Sequence, residues 1–232
     1  MTRLFTFGCS FTNYRWSTWA DCLAPEFDYF ENWAQSGAGN HHIFNSVMEA
    51  DQRHKFTAGD TVVVCWSAAQ REDRYIDGRW HTPGSVHFAK TVYHPDYLRS
   101  HVDDRGFLIR DLAYIKAVKR LLESCGINWR FLSMSGWHQI DPAYKDAVDL
   151  YQDVLDSIVP GFDQTIFSKF LNNNWPTDRH DQHPTPAEHL AYLDTVLPGW
   201  VTKEETRVKM YNESINLIKD PKQSGLSKVT RL

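Results

Sequence analysis

The sequence predicts one doubly wound α/β domain with a mainly parallel, five-stranded sheet. Three observations carry that reading. The run Thr61-Val62-Val63-Val64-Cys65-Trp66 is continuously apolar and β-branched, the mark of a strand buried on both faces. From Gly106 to Ser124, Leu108, Leu112, Ile115, Val118 and Leu122 recur at spacings of four and three, a helix with one apolar stripe. Strand-like and helix-like segments then alternate along the chain as β-α-β-α-β-(insertion)-α-β-α-β-α, the order of parallel-sheet folds.

The remaining elements follow from local pattern. Leu4-Phe5-Thr6-Phe7 is the first strand, and Tyr14 to Leu23 is read as a short helix with Trp16, Trp19, Ala20 and Leu23 on one face. Phe30 to Ala34 is the second strand, ending at Ser36-Gly37-Ala38-Gly39-Asn40, and His41 to Ala50 the helix after it. From Ser67 to Arg105 periodicity vanishes. A segment that long without elements is read as an insertion or lid, placed after the C-terminal end of a buried strand where open α/β sheets bind ligands. Gly126 stops the long helix, and Trp129 to Met134 is the fourth strand. Asp141-Pro142 starts a helix carrying Val148, Tyr151, Leu155 and Ile158, and Thr165-Ile166-Phe167 is a short fifth strand. Thr185-Pro186-Ala187-Glu188 has the residues of a capping box with proline at the first helical position. Thr202-Lys203-Glu204-Glu205 is read as a second box, opening a helix whose inner face is Val208, Tyr211, Ile215 and Ile218. The domain is expected to span residues 1–220, with the insertion at about 67–105 and a frayed tail over 221–232.

Bulk properties narrow the function classes. A chain of 232 residues buries enough surface to fold without disulfide or metal staples. The net charge of −4, with basic residues dispersed, leaves no nucleic-acid footprint. Cys9, Cys22, Cys65 and Cys125 form no C-x-x-C pair and read as reduced, mostly buried thiols. There is no charged-then-apolar leader and no membrane-length apolar run, so the expectation is a soluble protein of the cytoplasm. Nine tryptophans and eleven histidines crowd the loops, which suits either a surface for flat ligands such as sugars or a cover for the core.

Chemistry concentrates in three stretches. In Gly8-Cys9-Ser10-Phe11-Thr12, a serine follows a strand and precedes a helical segment, a turn able to lift a hydroxyl above the sheet end. In Asp181-Gln182-His183-Pro184, residues two apart in an extended segment point the same way, so Asp181 can support His183. Pro184 holds His183 extended, and the capping box ties the loop to a rigid helix start. Gly37 and Gly39 let main chain approach a ligand with N–H groups free to donate, and Asn40 adds a side-chain amide. A metal site from His180, Asp181, His183 and His189 is the alternative for the late loop, but its spacing matches no standard zinc pattern. No metal and no cofactor is expected.

The order of these pieces resembles the SGNH/GDSL hydrolases and, more narrowly, the short SGNH-like proteins of tailed phages. The resemblance runs from Arg3 to about Leu193. It rests on Phe7-Gly8-Cys9-Ser10-Phe11-Thr12, Ser36-Gly37-Ala38-Gly39-Asn40 and Asp181-Gln182-His183-Pro184-Thr185-Pro186. It implies a three-layer flavodoxin-like fold and metal-free ester hydrolysis. Ser10 is then the nucleophile, His183 the base paired with Asp181, and Gly37 an oxyanion donor. A phage origin would place the protein in the host cytoplasm or in association with the virion.

The sequence also departs from the family pattern. Cys9 replaces the Asp of Gly-Asp-Ser, and the late motif is Asp-x-His. The block after the central strand, usually Gly-x-Asn-Asp, is Trp66-Ser67-Ala68-Ala69-Gln70-Arg71-Glu72, without the usual oxyanion Asn. Asn40, Ser67, Gln70 or Arg71 are the available replacements, and Trp66, Ser67 and Arg71 are assigned to substrate binding. Arg71 offers a fixed charge for a carboxylate or an oxyanion. The expected activity is a serine esterase or deacylase acting on an acylated polar substrate such as an O-acetylated glycan. The competing readings are a catalytically weak carbohydrate- or partner-binding module on the same scaffold, and an O-acyltransferase.

Overall fold

The computed structural model describes residues 1–87, 92–135, 137, 142–161 and 183–219. Its sheet contains β1 (Arg3–Phe7), β2 (Tyr29–Asn32), β3 (Asp60–Trp66) and β6 (Asn128–Ser133), all parallel, in the order β2-β1-β3-β6. Every residue of β3 is buried, as its unbroken apolar run requires. Side chains alternate between two cores. Phe5, Phe7, Val62, Val64 and Phe131 face α2 (Asn40–His54) and α4 (Asp104–Ser124). Leu4, Val63, Cys65 and Leu132 face α1 (Trp19–Leu23), α7 (Pro186–Val196) and α8 (Glu204–Lys219). The protein is therefore a three-layer α/β/α sandwich.

The long helix α4 buries the whole stripe Leu108, Leu112, Ile115, Val118 and Leu122. It begins two residues before the predicted start because the Asp103 carboxylate accepts the Gly106 N–H at 2.7 Å. Gly126 follows its end with φ of 65°, a left-handed conformation suited to glycine. α1 is shorter than predicted: the Asp21 carboxylate accepts the Thr18 N–H at 2.7 Å, so the helix starts there and leaves Tyr14 and Trp16 in the preceding loop. The helix expected from Asp141 is broken into a 3-10 turn (Pro142–Tyr144), α5 (Lys145–Leu150) and α6 (Gln152–Leu155). The Thr165–Phe167 strand and the 221–232 tail lie outside the described residues. Among those described, the chain beside β6 is Ile158, in a parallel bridge with Phe131.

The segment 67–105 does contain elements, contrary to expectation. β4 (Arg74–Ile76) and β5 (Arg79–His81) form an antiparallel hairpin across Asp77-Gly78, both at positive φ as a two-residue hairpin turn demands. A short helix, α3 (Pro95–His101), follows.

The last helix corrects two expectations. Val208, Tyr211 and Ile215 are exposed at 48%, 53% and 46%, while Thr206, Met210 and Ser214 face inward. Tertiary contacts fix this rotation. The Glu26 carboxylate accepts the N–H groups of Thr202 and Lys203 and the Thr202 hydroxyl, so Glu26 holds the helix start in place of the expected capping box. Further on, Ser214 Oγ accepts the Ala187 N–H at 2.7 Å. Cys9, Cys22, Cys65 and Cys125 are free thiols, the first three buried. Among the described residues no helix is long and apolar enough to cross a membrane.

The rotation of α8 is directly testable by chemical denaturation. Met210→Ala should cost about 2–5 kcal/mol as a buried large-to-small change, whereas Val208→Ala should stay within about 0.5 kcal/mol. The reverse ranking would restore the predicted face.

Candidate active site

The first strand delivers Ser10 to the C-terminal edge of the sheet. The Thr12 and Asn13 N–H groups both donate to the Cys9 carbonyl, at 2.9 and 3.1 Å, closing a tight turn around the serine. Gly8 is needed there for space, since a Cβ would stand 2.1 Å from Thr12 Oγ1 and 3.0 Å from the Cys65 carbonyl oxygen. His183 arrives from the segment before α7, where Glu188 accepts the Thr185 N–H and fixes the helix start. The two meet: His183 Nε2 lies 2.8 Å from Ser10 Oγ. With the imidazole proton on Nδ1, the serine hydroxyl donates to Nε2, a geometry in which the imidazole can take the serine proton. Asp181 lies outside the described residues.

Aromatic residues hold the imidazole. The Tyr14 ring stacks on His183 with centroids 3.9 Å apart and planes 16° from parallel, and Phe11 approaches at 5.4 Å. Trp16 Nε1 donates to the Pro184 carbonyl at 2.7 Å. Three aromatics of the segment after Ser10 thus grip the residues around His183. Their place within six positions of the serine was visible in the sequence, but the predicted helix assigned Trp16 to packing and gave Tyr14 and Phe11 no role.

The Gly37 turn is backed by the insertion. Gly37 has φ of 79°, and a Cβ there would fall 2.1 Å from the Thr82 carbonyl oxygen, so no other residue fits. Thr82 Oγ1 donates to the Ser36 carbonyl at 2.8 Å. Asp73, buried, accepts the Gly39 N–H at 2.9 Å and the His42 N–H at 2.8 Å, occupying donors at the start of α2. Burial raises its carboxyl above the ordinary value even so.

Asn40 does not match the oxyanion-donor expectation. Its Nδ2 donates to the Ser67 carbonyl at 3.1 Å and to Asp111 Oδ2 at 2.9 Å, using both amide hydrogens. Its Oδ1 accepts from the Ser67 N–H at 2.9 Å and from the Ser67 hydroxyl at 3.2 Å. Ser67 is fully buried in this network, and Trp66 is fully buried against Phe131, so neither faces a substrate. Arg71 remains: its Nη1 donates to the Ala38 carbonyl at 2.9 Å, and Nη2 contacts Met134 Sδ at 3.3 Å.

Two cavities flank these groups. One, of about 580 Å³, is lined by Asn13, Tyr14, Arg15, Trp33 and Gln35, one ring away from His183. The other, of about 470 Å³, lies under the insertion between Glu72, Arg74, Tyr97, His101 and Arg110. Among the described residues no three His, Cys, Asp or Glu side chains gather to hold a metal. Burial pushes His189, one member of the alternative metal set, down to about 3, and His180 and Asp181 lie outside the described residues.

Burial raises the Asp111 carboxyl to about 6, although the Arg110 guanidinium and the Asn40 amide pull it the other way. The folded protein should therefore hold this proton to a higher pH than the unfolded chain, which loses it near the ordinary carboxylate value. Between those limits the folded state binds more protons, so stability should fall as pH rises through the interval and then level off. Urea denaturation at pH 4 to 7 should show that slope in the parent protein and not in Asp111→Asn; equal slopes would sink the assignment.

No family description matches the sequence, and no curated protein matches it. Solved structures do match. The esterase EstA from Pseudoalteromonas is 10% identical over 94% of this chain and 100% of its own, with a TM-score of 0.44. TesA is 15% identical over 85% of this chain and 97% of its own, at 0.48. A GDSL-like lipase from Bacteroides thetaiotaomicron is 13% identical over 84% and 85%, at 0.38. At such identities the chemistry of this chain rests on its own residues.

Proposed function

We propose that the protein is a serine ester hydrolase of the SGNH type. The observation that carries this is the 2.8 Å approach of His183 Nε2 to Ser10 Oγ at the end of a parallel strand, between residues 173 positions apart. In the proposed reaction Ser10 Oγ attacks the acyl carbon as His183 takes its proton. His183 then gives that proton to the departing alcohol, and water, activated by the same imidazole, releases the acid from Ser10. Asp181, two residues before His183, is assigned to hold the imidazolium. The Gly37 N–H is assigned to the tetrahedral oxyanion, and Asn40 to positioning the Gly37–Gly39 turn.

The substrate is an acylated polar molecule such as an O-acetylated sugar. The cavity beside Tyr14 supports this, because it combines the aromatic rings of Tyr14 and Trp33 with the carboxamide oxygens of Asn13 and Gln35, whose amide nitrogens donate within the protein.

A second reading has its own observation. The amide hydrogens of Asn40 are spent, and Asp73 holds the Gly39 N–H. A missing oxyanion donor costs about 10²–10³ in rate, enough to leave a binding module that turns over slowly.

A fluorophosphonate probe should label Ser10, and Ser10→Ala should lower kcat/KM on 4-nitrophenyl acetate by at least about 10³-fold. Folded parent protein that neither labels nor hydrolyses short esters would leave the binding reading. Tyr14→Ala should reduce kcat about 10- to 100-fold with the fold retained by circular dichroism, because the imidazole loses its stacking surface. An unchanged kcat would show that the stacking does not position His183.

A further inference from the structure

Arg71 is buried, with 7% of its surface exposed, and it is poorly matched by the protein around it. A guanidinium carries five N–H donors. One goes to the Ala38 carbonyl, one to the thioether of Met134, a weak acceptor, and Nε has no partner. Among the described residues Arg71 takes part in no ion pair. The acids beside it in the chain are committed elsewhere. Glu72 pairs with Arg74 at 2.7 Å and Arg110 at 2.9 Å; the Asp73 carboxylate attracts Arg71 through its charge, but its oxygens accept main-chain N–H groups and make no hydrogen bond to the guanidinium. Arg110 shows the contrast: it is also largely buried, yet it is held by Glu72, Asp111 and the Arg71 carbonyl. A buried guanidinium whose donors are left unfilled is costly, so one at a sheet edge with an unbonded Nε and a thioether for an acceptor points to a ligand that fills them.

Its position says which ligand. Ala38 lies between Gly37 and Gly39, and Met134 Sδ is 3.6 Å from Cys9 Sγ, the neighbour of Ser10. The guanidinium therefore spans from the Gly37–Gly39 turn towards the nucleophile turn. We propose that the ester taken by this site carries a carboxylate, and that Arg71 binds it. The inference rests on the ester-hydrolase reading and names its substrate class. A forked guanidinium edge matches the two oxygens of a carboxylate, whereas a tetrahedral oxyanion offers one oxygen and exists only during reaction. A fixed negative charge also compensates Arg71 from the moment of binding.

The test compares 4-nitrophenyl hydrogen glutarate with the neutral 4-nitrophenyl valerate, and an O-acetylated glucuronate with O-acetylated glucose. The first pair places the carboxylate on the acyl side, the second on the alcohol side. In the parent protein one pair should show a preference of about 10- to 100-fold in kcat/KM for its carboxylated member, the scale of a charge-assisted hydrogen bond. That ratio should collapse in Arg71→Gln and be partly retained in Arg71→Lys. Equal rates within both pairs for the parent protein would overturn the proposal without any variant. So would an Arg71→Gln protein that loses neutral and carboxylated esters by the same factor, the mark of an oxyanion donor. Equilibrium binding of the same compounds to Ser10→Ala, with and without Arg71→Gln, separates the two readings. Tighter binding of the carboxylated compound that depends on Arg71, in a protein that hydrolyses nothing, keeps the carboxylate site and removes only the hydrolase.

Discussion

A strand that is apolar on both sides cannot be covered by one layer of helices, and β3 is such a strand. Val62 and Val64 bury into the core under α2 and α4, while Val63 and Cys65 bury into the core under α1, α7 and α8. Each fully buried aliphatic side chain contributes about 1.5–3 kcal/mol, so the two faces together outweigh any local preference of the flanking segments. With parallel strands on both sides of it, every crossover starts from the same edge of the sheet. The segments after β1, β2, β3 and β6 consequently converge, and with them Ser10, Gly37, Arg71 and Met134. The site is a by-product of covering β3 twice.

Convergence alone does not fix loops to the precision that chemistry needs. Here a buried polar network does so. Asn40, at the first turn of α2, is bonded to main chain and side chain of Ser67 after β3, and to Asp111 on α4. Each such bond contributes only about 1 kcal/mol net, yet a broken one strands a buried partner at about 1–3 kcal/mol. The network is therefore a register device more than a source of stability. At the His183–Pro184 segment, rings join hydrogen bonds: Tyr14 and Phe11 pack on the imidazole, and Trp16 donates to the Pro184 carbonyl, which together hold this segment against the Ser10 turn.

What could be read from the sequence was what depends on short range. The α4 stripe, the β3 run and the turn bearing Ser10 are local patterns, and each reappears in the structure. The hairpin across Asp77-Gly78 carried its turn signal, but its strands Arg74-Tyr75-Ile76 and Arg79-Trp80-His81 are largely exposed and show no apolar alternation to support it. The face of α8 failed for another reason. Val208, Tyr211 and Ile215 are spaced like a core stripe, and only the distant Glu26 and Ala187 decide that Met210 turns inward. Asn40 failed in the same way. Its carboxamide looked free until Asp111, 71 positions on, was found to occupy it.

The insertion also changes meaning in this light. A lid would lie over a site already complete without it. Instead, Thr82 fills the only space a side chain at residue 37 would need, and Asp73 holds the first N–H groups of α2. A bridge between Arg71 and Ser85, with the Val86 N–H donating to the Gln70 carbonyl at 2.9 Å, clips the hairpin back onto its own start. Remove the segment, and Gly37 and Gly39 lose the walls that define their positions. The residues after β3 thus build the back of the Gly37–Gly39 turn. The Arg71 side chain they deliver reaches from the Gly37–Gly39 turn to Met134, so the segment that walls the turn also sets a buried guanidinium with an unfilled Nε beside it.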